Sequence, residues 1–226
     1  MTVLHLADEG EAADLAAFLS RLLHYDRGAA VRLQAAGTAL AVFGRPPSFE
    51  VLAIRAVRLA KPYENGLDVT LDVTVSAGEL LESVDERAAT AVVPAAVTGP
   101  PWAGVLPPRG GWQPRPGLPA PDVLRATVAA SVAEFRSRTE ELAPERRTRA
   151  ELDRIGREIW SRTVGDTGLP LRAVHAAQSL GFLRPVTSAG GAPGLLSSGA
   201  WLRLRTPYGS VAVRRAGLGA LDVSVR

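Results

Sequence analysis

The segment WLRLRTPYGSVAVRR, residues 201–215, has the residue types and spacing that come nearest to a chemistry. On an extended chain successive side chains point to opposite faces. Trp201, Arg203 and Arg205 therefore share one face and Leu202 and Leu204 the other. On the return, Val211 and Val213 oppose Ala212 and Arg214, with Arg215 next. An indole beside guanidinium groups suits phosphates and stacked bases. Trp201, Arg203, Arg205, Arg214 and Arg215 are thus candidate nucleic-acid contacts. The plainer alternative is the wet outer face of a sheet.

The second candidate is GPPWAGVLPPRGGWQPRPGLPAP at residues 99–121, with eight prolines, five glycines, two arginines and no acid. A plain linker favours Gly, Ser and charge. This one carries Trp102, Val105, Leu106 and Trp112, large apolar groups that are costly to leave in water. The expectation is a structured strap, with Trp102 and Trp112 docked on the seam between two halves. Trp102, Arg109, Trp112 and Arg115 are its candidate partner or interdomain contacts. The alternative is an exposed polyproline ligand for a protein partner, through P-P-R at 107–109 or P-x-x-P at 116–119.

Tests for catalytic and cofactor chemistry come out empty. The only lysine, Lys61, is followed by Pro62, so no phosphate loop exists. GGAPG at 190–194 lacks the flanking strand and helix of a dinucleotide fingerprint. With no cysteine there is no disulfide, thiolate nucleophile or thiolate zinc site. His5, His24 and His175 are far apart, and His24 ends a helix, where its cation would meet the helix dipole. Asp68 and Asp72 stand about 13 Å apart along a strand, beyond the roughly 5–9.5 Å of paired glycosidase carboxylates. No catalytic residue, metal ligand or cofactor is assigned. An enzyme would need His24, Asp26 or Glu50 to converge in a cleft.

Composition frames these candidates. A chain of 226 residues, 46% apolar and 22% charged, is of ordinary globular type, and it should bury roughly 70–75% of its extended surface. The abundance of Ala, Gly, Pro, Val and Arg suits a GC-rich bacterial genome of actinobacterial kind. The N-terminus lacks a signal-peptide pattern and no long apolar run appears, so the expectation is a cytoplasmic protein without a membrane partner. The net charge of +3 hides an imbalance: residues 62–98 hold seven acids against one base, and residues 167–226 one acid against seven arginines. An anionic partner for the C-terminal part follows from that asymmetry.

The elements that must position these residues read as follows. Asp8 and Glu11 form a capping box before a helix bearing Leu15, Phe18, Leu19, Leu22 and Leu23 on one face. Strands follow from Ala29, turning at Gly37, and FEVLAIRAVRL is a longer one. LDVTLDVTV, residues 67–75, alternates Leu67, Val69, Leu71, Val73 and Val75 inward with Asp68, Thr70, Asp72 and Thr74 outward, then meets a helix capped by Ser76 with Glu79. Beyond the strap, a helix carries Leu124, Val128, Val132 and Phe135. A second carries Leu152, Ile155, Ile159 and Trp160, with Glu145–Arg149, Asp153–Arg157 and Glu158–Arg162 at i, i+4 spacing. These two form an antiparallel hairpin that is also a candidate dimer surface. GLPLRAVHAAQSLGFL is a short helix ending near Gly181, TSAGGAPGLLSSGA a flexible connection, and Pro207 and Gly209 turn a bulged hairpin. AGLGALDVSVR is a further edge-strand candidate.

The order strand, helix, antiparallel strands, then strand–Ser–helix at VTVSAGELLESV resembles one half-domain of a DNA sliding clamp. That likeness covers about 95 residues in element order alone, and the second copy that a clamp contains is not evident. The helices followed by a basic hairpin match part of a winged helix-turn-helix outline, with one short helix where two are needed.

The sequence thus predicts an α+β fold. A mostly antiparallel sheet with helices on one face occupies 1–98, the strap 99–121, and a helical part ending in a β-hairpin 122–226. The function expected is binding or regulation through protein contacts or self-association, without catalysis. Nucleic-acid binding through the hairpin is the alternative, and an enzyme of unrecognised type the second alternative.

Overall fold

A computed structural model describes residues 2–60, 71–185 and 191–215. Strand β1 (Val3–His5) leads to helix α1 (Glu9–Tyr25), whose cap forms as the spacing predicts: the Asp8 carboxylate accepts from the Glu11 backbone N–H at 2.8 Å. Leu15, Phe18, Leu19 and Leu22 of α1 are buried. Strands β2 (Ala30–Ala36), β3 (Ala39–Gly44) and β4 (Leu52–Arg58) follow as a meander. Strand β5 (Asp72–Ser76) runs into helix α2 (Ala77–Glu82), and the Ser76 hydroxyl accepts from the Glu79 N–H at 3.3 Å. Residues 67–70 of the predicted alternating strand lie outside the described residues.

Strand β6 (Thr90–Val92) pairs with β1 in a small separate sheet. The chain continues through β7 (Gln113–Arg115), α3 (Pro121–Glu140), α4 (Arg149–Trp160), α5 (Leu171–Ser179), β8 (Gly194–Ser198), β9 (Trp201–Thr206) and β10 (Gly209–Arg214). The fold is α+β. Strand β8 stands where a flexible connection is expected: Leu195 is buried and pairs with Leu204, so its side chain fills the core that a loop would leave open. The AGLGALDVSVR segment, residues 216–226, lies outside the described residues.

The main sheet has eight antiparallel strands in the order β5-β2-β3-β4-β10-β9-β8-β7. The C-terminal hairpin joins the N-terminal meander, because β10 pairs with β4 through Ser210↔Ile54, Val211↔Ala53 and Ala212↔Leu52. The residues of β4 explain the join. Leu52, Ala53 and Ile54 are apolar on both faces and buried, the pattern of an interior strand that needs a partner on each edge. With β8 on its other side, the hairpin has both edges hydrogen-bonded and is not a projecting wing. Its turn is two residues, Pro207 and Tyr208, directly between the paired Thr206 and Gly209, without the bulge expected.

All five α-helices contribute to one core against one face of this sheet, with Val31, Leu33, Leu40, Val42, Val57, Leu204, Val211 and Val213 among its strand residues. Helices α3 and α4 form the antiparallel hairpin, and its charges pair across it. Arg138 donates to both oxygens of Glu158 at 2.7 and 2.8 Å, and Arg162 to both of Glu134 at 2.6 and 2.8 Å. Of the i, i+4 pairs expected, only Glu158–Arg162 lies within 4 Å among the described residues, at 3.6 Å. Arg162 finds a better-aligned carboxylate on the facing helix, and Asp153 meets Arg149 instead of Arg157, at 3.9 Å.

The Arg138 hydrogen bond, against a smaller opposing effect of burial, holds the Glu158 carboxyl down to about 2 from its ordinary 4.5. Arg162 likewise lowers that of Glu134. A carboxylate whose folded pKa is depressed stabilises the fold above its unfolded pKa, and that contribution fades as the pH falls. Arg138→Gln should therefore lower the melting temperature at pH 7 by a modest amount, since these groups are exposed. The gap from the wild type should close as the pH drops from 4.5 toward about 2. Scanning calorimetry of both proteins across that range checks it, and a gap independent of pH refutes it.

Candidate functional site

The second face of the sheet is where the candidate residues meet. Strand alternation sends Trp201, Arg203 and Arg205 of β9, Ala212 and Arg214 of β10, Phe43 of β3, and Leu52 and Ile54 of β4 away from the helices. Phe43, Leu52, Ile54 and Ala212 make a second buried cluster there, with Ala41, Trp102, Leu106 and Trp201 packed around it. Trp102 and Leu106 come from the proline-rich segment. That segment is thus a strap lying on the β4–β10 seam, where the N- and C-terminal parts of the sheet join.

Polar contacts pin the strap along its length. Arg32 of β2 donates to the Ala103 carbonyl. Pro107 is buried. The Trp112 indole N–H donates to the Pro108 carbonyl at 2.9 Å, and the Ser198 hydroxyl to the Gly110 carbonyl at 3.4 Å. The strap ends by supplying β7, which adds to the sheet edge through Gln113↔Ser197, Pro114↔Leu196 and Arg115↔Leu195.

The hairpin and strap candidates, far apart in sequence, therefore share one surface. The Arg203 guanidinium carbon lies 5.7 Å from the Trp112 ring centre. Arg205 and Arg214 are exposed on the same face. Two candidates stand apart from it. Arg115 opposes Leu195, and directly opposed residues share a face, so it belongs to the helix side. Arg215 lies beyond β10 and donates to the Gly199 carbonyl at 2.8 Å, tying the sheet end to the β8–β9 turn.

Among the described residues the electrostatics of the face are one-sided. Its acid, Asp72, accepts from Arg32 at 2.8 Å and Gln34 at 3.2 Å, and Arg109 stands 3.9 Å away. The Arg32 hydrogen bond holds the Asp72 carboxyl below its usual range. Arg203 has no ion pair or hydrogen bond among the described residues, and its Nε is buried without a partner. Burial, then the like charge of Arg205, lowers its pKa, although a guanidinium remains charged at neutral pH. Between strap and sheet lies a groove of about 210 Å³ with Arg109, Arg203, Gln34, Pro107 and Pro108 around a floor of small residues. Gln34, Asp72 and that floor are not among the sequence candidates. Their signal is the outward set of the β2–β3 alternation, Arg32, Gln34, Ala39 and Ala41, which reads as an ordinary wet face until the strap is placed.

The three residues whose convergence an enzyme would require lie near one another, since Tyr25, between His24 and Asp26, packs on Phe49, next to Glu50, with ring centres 5.3 Å apart. No hydrogen bond or ion pair joins them among the described residues. Asp26 accepts from the Gly28 N–H at 2.9 Å and lines a 720 Å³ pocket with Arg45, Ser76, Thr98 and Trp102. Glu50 ends the short Pro47–Phe49 turn at φ 51°. His24 packs edge-on to Tyr25 at 5.3 Å, the first link of a ring chain through Phe49 to His175, which stacks on Trp160 at 4.4 Å. Burial lowers the His175 pKa, favouring the neutral ring. Among the described residues no group of three metal-ligating side chains occurs, and no helix is long and apolar enough to cross a membrane.

Fold and face together define an α+β protein built on one antiparallel sheet, helices on one side and a tryptophan-anchored strap over arginines on the other. Residues 1–104 are similar to a domain of unknown function, DUF8010, and residues 107–218 to a second, DUF8185. The two matches meet inside the strap, and the strands they contain share one sheet through β4 and β10. No curated protein and no solved structure matches the chain.

Proposed function

We propose that this is a non-enzymatic binding protein of the cytoplasm that recognises an acidic segment of a partner protein on the strap-bearing face of its sheet. One observation carries the reading: Arg203, Arg205 and Arg214 share that face, and the acid there, Asp72, is already saturated by Arg32 and Gln34. Guanidinium groups without a counter-charge among the described residues attract a partner of opposite sign and set its register. Half-buried tryptophans beside them supply the aromatic anchors that dominate protein interfaces.

Nucleic acid is the second reading, favoured by Trp201 and Arg214 standing side by side as a cross-strand pair. Base stacking needs an open ring face. Trp201 instead packs into the Phe43 cluster, and the Trp112 N–H is engaged by Pro108. A protein segment therefore fits this face better.

Fluorescence anisotropy separates the readings. The probes are a labelled oligo-glutamate peptide, single-stranded DNA and mixed-sequence duplex DNA, each at low and near-physiological salt. The variant is Arg205→Ser/Arg214→Ser, both exposed positions on that face. The peptide should bind with salt-sensitive affinity and bind roughly tenfold or more weakly to the variant, each lost charge costing up to about 1 kcal/mol. Steeply salt-dependent binding of DNA alone would install the nucleic-acid reading. Folded protein that binds none of the three overturns both.

A further inference from the structure

We propose that the groove between strap and sheet is a small-molecule site for a carboxylate with an apolar body, its head held by Arg203 and Arg109. This goes beyond the partner-binding reading, because a small ligand can fill the groove without a macromolecule on the face.

The floor follows from residue size and register. Ala41 of β3 and Ala56 of β4 are directly opposed, and Gln34 of β2 is opposed to Ala41 on its other side. Two methyl groups side by side leave a depression in a face whose next cross-strand pair, Phe43↔Ile54, fills with bulk and closes one end. Ala39 extends the floor and Pro107 and Pro108 form the wall. At about 210 Å³ the space suits a single ring or a short branched chain, whereas drug-sized and nucleotide ligands occupy roughly 300–1,000 Å³.

The head-group preference follows from charge. Arg203 lines the groove with a buried, unpartnered Nε and no ion pair among the described residues. The like charge of Arg205 acts on it as well. Arg109 lines the groove too, and shares at 3.9 Å an Asp72 whose oxygens Arg32 and Gln34 hold at 2.8 and 3.2 Å. A bound anion supplies the missing counter-charge, and a carboxylate matches the planar guanidinium fork with two parallel hydrogen bonds. The alanine floor selects among anions, since a bare hydrated ion gains nothing from it.

The test uses the full chain with 15N-labelled arginine, in which the buried Arg203 Nε–H gives its own NMR signal. Arg203→Lys assigns that signal by removing it. Benzoate, inorganic phosphate and benzyl alcohol are titrated separately. Benzoate should shift the Arg203 signal saturably, while phosphate and benzyl alcohol leave it in place. Ala56→Leu fills the exposed floor without touching a charge, and should weaken benzoate at least tenfold while the rest of the spectrum stays folded. In Arg203→Lys the Arg109 signal should respond to benzoate at least tenfold more weakly. An Arg203 signal that benzoate does not move overturns the proposal. So does an equal shift with phosphate, which would mean a bare anion contact, or an unchanged affinity in Ala56→Leu. Any of these with oligo-glutamate binding intact removes the groove ligand and leaves the partner surface standing. Loss of oligo-glutamate binding with the benzoate response intact does the reverse.

Discussion

Arg55→Met is expected to destabilise the fold by roughly 3 kcal/mol, the low end of the cost of breaking a buried ion pair. For a chain of this size that means a fall in melting temperature of roughly 6–12 °C. Arg55 sits on β4 facing the helices, with its side chain 6% exposed. It donates to Glu11 at 2.9 Å and to the Tyr208 carbonyl at 2.8 Å, and lies 3.2 Å from Asp14. One guanidinium thus ties the first helix, the fourth strand and the β9–β10 turn together. Removing it strands the carboxylate of Glu11, only 12% exposed, and the Tyr208 carbonyl.

Neighbours keep the cost at the low end. Glu11 retains Arg58 at 2.9 Å, and Asp14 retains Arg184 at 2.7 Å. The Arg55 Nε already lacks a partner, so the native arrangement is itself imperfect. For that reason Arg55→Met/Glu11→Met should recover part of the loss, as apolar replacement of a whole buried pair commonly does. Urea titration of the three proteins measures this. A single-variant loss under about 1 kcal/mol would show that Arg55 is no buried staple.

Glu11 shows what the sequence reveals and what it hides. Its place three residues after Asp8 announces the helix cap, a local geometry fixed by spacing alone. Its bonds to Arg55 and Arg58 span more than forty residues, and no periodicity encodes them. The same division runs through the sheet. Alternation in β9 separates Leu202 and Leu204 from Trp201, Arg203 and Arg205 without any knowledge of the fold. That β10 would take the free edge of β4 depends on pairing between residues 156 to 160 apart. The unbroken apolar run at Leu52–Ile54 fits a strand with a neighbour on each edge but does not say which strand that neighbour is.

The candidate surface was legible in its parts and not in its assembly. The tryptophans of residues 99–121 signal a docked segment because indoles in water are unfavourable. The hairpin arginines signal a charged face. What the sequence does not contain is that strap and hairpin lie on the same side, which turns Arg203 from a solvated base into a half-buried cation over Trp112. Register also divides what composition grouped: Arg115 is three residues from Trp112, yet it opposes Leu195 on the other face.

Gly209 carries the second large effect. Gly209→Val should cost roughly 3 kcal/mol, the upper end of the usual penalty for overpacking a core. A Cβ built at 209 would stand 2.5 Å from both Cε1 and Cζ of Phe182, and the backbone φ of +158° is one that side-chain-bearing residues rarely adopt. Phe182 is 3% exposed and stacks on Phe18 of α1, ring centres 5.8 Å apart, so the ring has little room to retreat. The close approach of hairpin backbone to ring lets the turn seat over the first helix, next to the Tyr208 carbonyl that Arg55 holds. Gly44 supplies the contrast. A Cβ there would meet Leu22 Cδ1 at 2.4 Å, a single branch of a side chain and not two atoms of a rigid ring, and the backbone at 44 carries no positive φ, so Gly44→Ala should cost less than Gly209→Ala. Phe182→Leu tests the cause directly. In the double variant Gly209→Ala/Phe182→Leu the losses should fall short of their sum by about 1 kcal/mol, the signature of groups in contact. Strict additivity would place the penalty in the backbone at 209 instead of against the ring.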